Sequence, residues 1–116
     1  MGLFGFGKAK TIQDLKVKDL KKEKINQEVK QEQLLSRIRT SGEQYESILE
    51  STSEQGLSDG EIDAAAYRMS QINKTKDRAE RDLQEVMTRL TVIDSTIDVL
   101  NQKEELEQKG IWKKIN

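Results

Sequence analysis

The chain has no cysteine, no histidine and no proline among its 116 residues. Without cysteine it forms neither a disulfide nor a thiolate metal site, and without histidine it lacks the side chain that most often acts as a general base. No glycine-rich phosphate loop follows a predicted strand either. These absences argue against an enzyme, and we expect no catalytic residue, no cofactor and no bound metal.

Long apolar runs are also missing. No stretch approaches the roughly 20 residues that a membrane-spanning helix needs, and the glycine-broken N-terminus lacks the apolar core of a secretory signal. We therefore expect a cytoplasmic protein. Aromatic residues make up only 4% of the chain, whereas Asp, Glu, Lys and Arg make up 35%. That composition is typical of long, solvent-exposed helices and coiled coils.

The second half of the chain carries a long heptad pattern. Steps of alternately three and four residues pass through twelve positions, of which eleven are apolar, and we call these positions the seam of the second helix. Such a repeat predicts a helix that packs along its length against another helix. Ser58 and Glu61 form a capping-box pair, so we place the helix at about 59–108 and expect Gly110 to end or bend it. The seam positions are Ile62, Ala65, Met69, Ile72, Lys76, Ala79, Leu83, Val86, Leu90, Ile93, Ile97 and Leu100.

The first half follows the same rule less well, because four of its ten seam positions are polar. Thr40-Ser41-Gly42 is a candidate break, since glycine costs about 1 kcal/mol inside a helix and Ser41 with Gln44 forms another capping pair. Heptad register nevertheless continues across it. We favour a continuous helix over residues 11–54 and leave a break at Gly42 open. The seam positions are Val17, Leu20, Lys24, Gln27, Gln31, Leu34, Ile38, Ser41, Tyr45 and Ile48.

Residues 51–60, STSEQGLSDG, form the one convincing turn. Two helices joined by a short polar loop pack antiparallel. The predicted fold is therefore all-α, a long, coiled-coil-like antiparallel helical hairpin over residues 11–109. Residues 1–10 are expected to be a separate N-terminal segment, and residues 110–116 a tail or the start of a third helix.

Pairing the two arms of this hairpin exposes a mismatch. A turn near residue 57 sets Lys24 opposite Leu90. It sets Gln27 opposite residues 86–87, so polar side chains of the first helix face an apolar seam. We therefore expect that seam to stay partly exposed and to be covered by other copies of the chain. The expected self-assembly residues on it are Leu83, Val86, Leu90, Ile93, Ile97 and Leu100.

Charge is strongly segregated, although the net charge is only −1. Residues 1–39 hold ten basic and five acidic groups, whereas residues 40–66 hold seven acidic and no basic groups. If neighbouring hairpins are offset by about half an arm, the acidic turn of one meets the basic arm of the next. Exposed ion pairs contribute only about 0–1 kcal/mol each, so charge would set the register of an assembly. The expected acidic contacts are Glu43, Glu46 and Glu50; the alternative is that both charge runs are simply solvated.

The first ten residues, MGLFGFGKAK, place both phenylalanines of the chain among three glycines. One interpretation is a tail without a function. The other is a membrane foot, in which Leu3, Phe4 and Phe6 enter the headgroup boundary. Lysines would then hold anionic lipid, each contributing up to about 1 kcal/mol near the surface. The expected lysine contacts are Lys8, Lys10, Lys16, Lys18, Lys21 and Lys22.

The Met-Gly-Leu-Phe-Gly start, the basic first helix and the long antiparallel hairpin together resemble the ESCRT-III superfamily of membrane-remodelling proteins. That superfamily includes archaeal cell-division and phage-shock protein A-like branches. The resemblance implies a non-enzymatic homo-oligomer or polymer, peripheral at the inner face of a membrane, that remodels or supports anionic membranes in division, scission or repair. It implies Leu3, Phe4 and Phe6 as the inserting segment.

The same resemblance implies further partners, namely related family members and a AAA ATPase. Family members bind that ATPase through an acidic C-terminal region, and residues 1–116 hold no such region. We therefore leave coupling to the ATPase open.

Two other functions also stay open. The chain is consistent with a cytosolic coiled-coil adaptor or oligomerisation module that binds a helix of another protein. A nucleic-acid-associated coiled coil would use the lysines between residues 16 and 30. Stacking aromatics are missing, however, and the acidic turn would repel phosphate, so nucleic acid is not the partner we expect.

Overall fold

The computed structural model describes residues 12–54 and 56–111. The predicted N-terminal segment, residues 1–10, lies outside the described residues, as do residues 112–116 of the predicted tail or third helix.

Two long α-helices dominate the described part of the chain. Helix α1 spans Ile12–Glu54 and helix α2 spans Asp59–Leu106. A short π-helix, Glu107–Ile111, follows α2, and the described residues form no β-strand. The predicted all-α hairpin is confirmed, and the predicted helices at 11–54 and 59–108 match the observed bounds to within two residues. The change to a wider π-helix occurs in the turn that contains Gly110.

Two compact units divide the chain. The turn unit is Val29–Met87, and the described residues of the terminal unit are 12–28 and 88–111. Each unit takes one stretch of α1 and one stretch of α2. In both units the sheltered positions recur at steps of three and four residues along each helix.

The start of α2, in the turn unit, is closed by the predicted capping box. The amide N of Glu61 donates to Ser58 Oγ at 3.3 Å, and the amide N of Ser58 donates to Glu61 Oε1 at 3.2 Å. The Ser58 hydroxyl also donates to Glu61 Oε1, at 2.9 Å. The amide N of Ile62 donates to the Ser58 carbonyl O at 3.0 Å. The bonds of the Ser58 and Glu61 amides satisfy groups that a helix start otherwise leaves unpaired, and the Ile62 bond is the first regular bond of the helix.

Helix α1 runs through Thr40-Ser41-Gly42 without a break, so the continuous helix is confirmed. Ser41 is buried on the seam, and the space beside Gly42 is open. One glycine costs about 1 kcal/mol in a helix interior, and the packing of seam residues on both sides of Gly42 outweighs it.

The sheltered side chains lie on the predicted seams. Leu34 and Ala79 are buried in the turn unit, and Ile93 and Ile97 are buried in the terminal unit. Most other seam residues are half-buried, whereas nearly all the remaining described side chains are exposed. The heptad pattern therefore identified the interior of each unit correctly.

Candidate functional site

The apolar seam of α2 is not an exposed stripe. Within the single chain Val86 is 4% exposed and Ile93 is 7% exposed, while Leu83, Leu90 and Leu100 are half-buried. The seam is thus less exposed than predicted at Val86, Ile93 and Ile97, and its coverage by other copies stays a prediction. All six apolar residues expected to mediate self-assembly lie on the covered seam: Leu83, Val86, Leu90, Ile93, Ile97 and Leu100.

Two polar side chains of α1 help to cover that seam in the terminal unit. Gln27 is 3% exposed, and its Nε2 donates to Glu23 Oε1 at 2.8 Å. Its Oε1 is buried and meets no hydrogen-bond donor among the described residues. Lys24 is half-buried at the neighbouring seam position. The aliphatic carbons of long polar side chains can cover apolar surface. Polar residues opposite an apolar seam therefore do not by themselves mean that the seam is exposed.

Lys24 links the two helices of the terminal unit. Its Nζ lies 2.9 Å from Asp94 Oδ1, one helical turn beyond Leu90, the residue predicted to lie opposite Lys24. One turn rises about 5.4 Å, which the long side chain of lysine can span, so the ion pair is compatible with the predicted pairing. The hydrogen bond and the charge of Asp94 raise the pKa of Lys24 above its ordinary value of 10.5.

Three lysines and an isoleucine share one outer face of α1 in the terminal unit. At 100° per residue, Lys18, Lys21 and Lys22 fall within an arc of about 100°, with Ile25 between them. All four side chains are exposed, and Ile25 is 60% exposed. We call these four residues the α1 basic face. Lys16 is exposed as well, on a different side of the helix.

Three glutamates share an outer face of α1 in the turn unit. Glu43, Glu46 and Glu50 are exposed and follow one another at steps of three and four residues, which sets them on one side of the helix. Together with Arg39 and Gly42 they line a shallow depression. We call the three glutamates the α1 acidic face; its members are the acidic contacts predicted from the sequence.

A third feature was not singled out from the sequence. Val92, Val99 and Leu106 of α2 are 57%, 61% and 68% exposed, and they recur every seven residues on one outer face of the terminal unit. The Thr96 hydroxyl between them donates to the Val92 carbonyl O at 2.7 Å. The seven-residue spacing of Val92, Val99 and Leu106 is visible in the sequence, but these residues lie off the predicted seam and the spacing alone does not show that they are exposed.

In the part of the chain that the structure describes, no group of three or more acidic residues is placed to hold a metal ion. None of its helices combines the length and the apolar character needed to cross a bilayer. Five of the predicted membrane contacts lie outside the described residues: Leu3, Phe4, Phe6, Lys8 and Lys10.

Comparison of the chain with protein-family models, with curated proteins and with solved structures finds no match in any of the three. Arguments about function therefore depend on the residues of this chain and on their placement.

Proposed function

We propose that the chain is a non-enzymatic, ESCRT-III-like protein that self-assembles on anionic membrane surfaces and remodels or supports them. The observation that carries this proposal is the α1 basic face, where exposed Ile25 lies among Lys18, Lys21 and Lys22. A helix face of this kind suits the headgroup region, because the apolar side chain enters it while ammonium groups attract anionic lipid.

The binding of one copy is expected to be weak. Each lysine near an anionic surface contributes about 1 kcal/mol, and a single exposed isoleucine adds little apolar area. The MGLFGFGK segment precedes α1 in sequence and supplies Leu3, Phe4 and Phe6 as a second contact. An assembled array then binds strongly, because each bound copy raises the effective concentration of the next copy at the membrane.

Self-assembly is the second part of the proposal. The α1 acidic face of one copy meets the α1 basic face of a neighbouring copy, and the opposite charges select that register over others. Single exposed pairs contribute little and are screened by salt. We therefore expect assembly to weaken as the salt concentration rises.

Co-sedimentation with phosphatidylserine-containing vesicles tests the membrane contact. Neutralising Lys18, Lys21 and Lys22 to glutamine should weaken binding by about fivefold per lysine. A matched control neutralises three exposed basic residues of α2 in the turn unit and should bind almost as well as the original chain. Equal binding by the α1 variant and the original chain would overturn the proposal. The control residues are Lys74, Arg78 and Arg81.

A chain that lacks residues 1–9 tests the foot separately. Reduced pelleting of this chain supports insertion of Leu3, Phe4 and Phe6. If both chains pellet equally, residues 1–9 are not a membrane contact, and the α1 basic face is the contact that remains.

The alternative function is a cytosolic coiled-coil adaptor or oligomerisation module. Val92, Val99 and Leu106 favour it, because exposed apolar residues at heptad spacing fit the seam of a partner helix. Analytical ultracentrifugation separates the two functions. A discrete dimer at every salt concentration supports the adaptor, and polymers that dissolve at high salt support the membrane scaffold.

A further inference from the structure

The two helices bring unequal seams to the terminal unit. Helix α2 offers an apolar residue at every seam position from Ala79 to Leu100, four of them in this unit. Helix α1 has the polar residues Lys24 and Gln27 at two of its seam positions. The single chain therefore covers an apolar seam with a partly polar one.

The burial of Gln27 against the α2 seam is energetically unfavourable. A buried acceptor that meets no donor shifts the folding equilibrium toward opening by about 5- to 150-fold relative to a satisfied one. Its Oε1 is in that state, while its Nε2 bonds only to Glu23 of the same helix. This hydrogen bond lies within α1 and therefore does not link α1 to α2.

Lys24 compensates little for this cost. Its bond to Asp94 lies at the edge of the seam, and the two side chains are 37% and 52% exposed. Exposed pairs of this kind contribute little and are weakened by salt. The apolar residues at the described α1 seam positions of this unit are Val17 and Leu20, and both are half-buried.

We propose that the α2 seam of the terminal unit is an interaction surface for the same seam of a second copy, and that α1 covers it only in the separate chain. The inference rests on the proposed self-assembly and names the surface that supplies its energy. Helix α2 is the one described stretch with unbroken apolar seam positions over this length. Pairing it with itself buries apolar against apolar side chains and returns Gln27 Oε1 to water.

The turn unit is expected to stay closed during this exchange. Its α1 seam brings Leu34, Ile38 and Ile48 to α2, and the short capped loop joins its two helices directly. Opening is therefore expected only in the terminal unit, where α1 has the polar residues Lys24 and Gln27 at seam positions.

The absence of cysteine allows a clean cross-linking test on the full chain. Ile93→Cys places the only thiol on the terminal-unit seam, and Ala79→Cys, at a site 1% exposed, is a matched control on the turn-unit seam. In assembled samples under mild oxidation, Ile93→Cys should form a covalent dimer at least about tenfold faster than Ala79→Cys. Ile97→Cys repeats the test should Ile93→Cys fold poorly.

A second variant removes the polar positions. Lys24→Leu with Gln27→Leu lets α1 cover the α2 seam well, so it should slow amide hydrogen exchange across Leu90–Leu100 and raise the concentration needed for assembly, each by about tenfold. Lys30→Leu with Gln33→Leu adds two leucines at exposed positions of α1 and should do neither.

The outcomes separate this inference from the proposed function. Assembly of the original chain without an Ile93→Cys or Ile97→Cys dimer, and with unchanged assembly of the Lys24→Leu, Gln27→Leu variant, overturns the inference alone. An original chain that never assembles, with or without phosphatidylserine vesicles, overturns self-assembly and this interface together. Covalent dimers that the double variant suppresses support both.

Discussion

Lys24 of α1 and Asp94 of α2 form an ion pair at the edge of the terminal-unit seam, with Nζ 2.9 Å from Oδ1. Lys24 occupies a position where the heptad calls for an apolar side chain. Lys24 is half-buried at this position, and its ammonium pairs with Asp94, whose side chain is 52% exposed. The pair thereby allows a charged residue at a seam position and links the two helices of the terminal unit.

The first prediction concerns the pH dependence of this pair. Asp94 raises the pKa of Lys24 in the folded chain, so the pair stabilises the fold fully below the ordinary pKa of 10.5. That stabilisation is lost as the pH rises through the raised value. Asp94→Asn should therefore lower stability at neutral pH, and its difference from the original chain should vanish in strong alkali. Urea unfolding followed by circular dichroism measures both.

Asp98→Asn is the control for this prediction. Asp98 is the weakest of the influences on the pKa of Lys24, so its removal should change little at any pH. A difference between Asp94→Asn and the original chain that stays constant from neutral pH into alkali would contradict the assignment of the pair.

The second prediction concerns Gln27. Gln27→Leu removes a buried acceptor that has no donor and places apolar carbon on an apolar seam. We expect the free energy of unfolding to rise by about 1–2 kcal/mol. Gln33→Leu, at an exposed position of the same helix, should change it by less than about 0.5 kcal/mol. A loss of stability in Gln27→Leu would show that the side chain is better satisfied than its contacts indicate.

The third prediction concerns the capping box at the start of α2. Ser58→Ala removes the acceptor of the Glu61 amide and should lower the free energy of unfolding by about 1 kcal/mol. Thermal unfolding of this variant, with Ser95→Ala at an exposed helix interior position as a control, measures the effect. The control should be neutral or slightly stabilising, because alanine is the better helix former.

The same cap has a pH dependence of the opposite sign. Hydrogen bonds from the Ser58 amide and then its hydroxyl lower the pKa of Glu61 below its ordinary value of 4.5. Its ionised form therefore stabilises the fold above that value, and the stabilisation is lost as the pH falls through the lowered pKa. Glu61→Gln should be less stable than the original chain at neutral pH and equal to it in acid. A gap that persists in acid would assign the effect to something other than this charge.

Helix positions were predictable from the sequence because apolar periodicity, the Ser58–Glu61 pair and the lack of proline all act locally. The interior was predictable as well, since every buried apolar residue in the described part of the chain lies on a seam that the heptad rule picks out. Exposure of the α2 seam was predicted only in part, because Val86 and Ile93 are buried whereas Leu83 and Leu90 are half-buried. Residue types alone do not show how much apolar surface the long side chains of Gln27 and Lys24 cover.

The candidate surfaces were predictable only in part. Glu43 and its acidic neighbours stood out as a charge run, and the structure places them on one exposed face. Ile25 and Val99 were not predicted as surface contacts, because residue type and spacing do not show whether an apolar residue off the seam is exposed. Leu3, Phe4 and Phe6 stay a prediction, since they lie outside the described residues.

The fourth prediction tests the contact between acidic and basic faces by charge exchange. A chain with its α1 acidic face reversed to lysine should fail to assemble, and so should a chain with its α1 basic lysines reversed to glutamate. A mixture of the two restores both kinds of contact and should assemble at low salt, as light scattering would show. If the mixture, like each of the two chains alone, fails to assemble, the proposed contact is contradicted. The exchanged residues are Glu43, Glu46 and Glu50 in one chain and Lys18, Lys21 and Lys22 in the other.

The most direct test of the central claim is electron microscopy of phosphatidylserine-containing vesicles incubated with the original chain at low salt. Assembly on an anionic surface predicts ordered protein coats or tubes on these vesicles. It also predicts that phosphatidylcholine vesicles carry no coat. Changing Lys18, Lys21 and Lys22 to glutamine should remove the coats from phosphatidylserine-containing vesicles. Bare phosphatidylserine vesicles beside a dispersed chain would contradict the account.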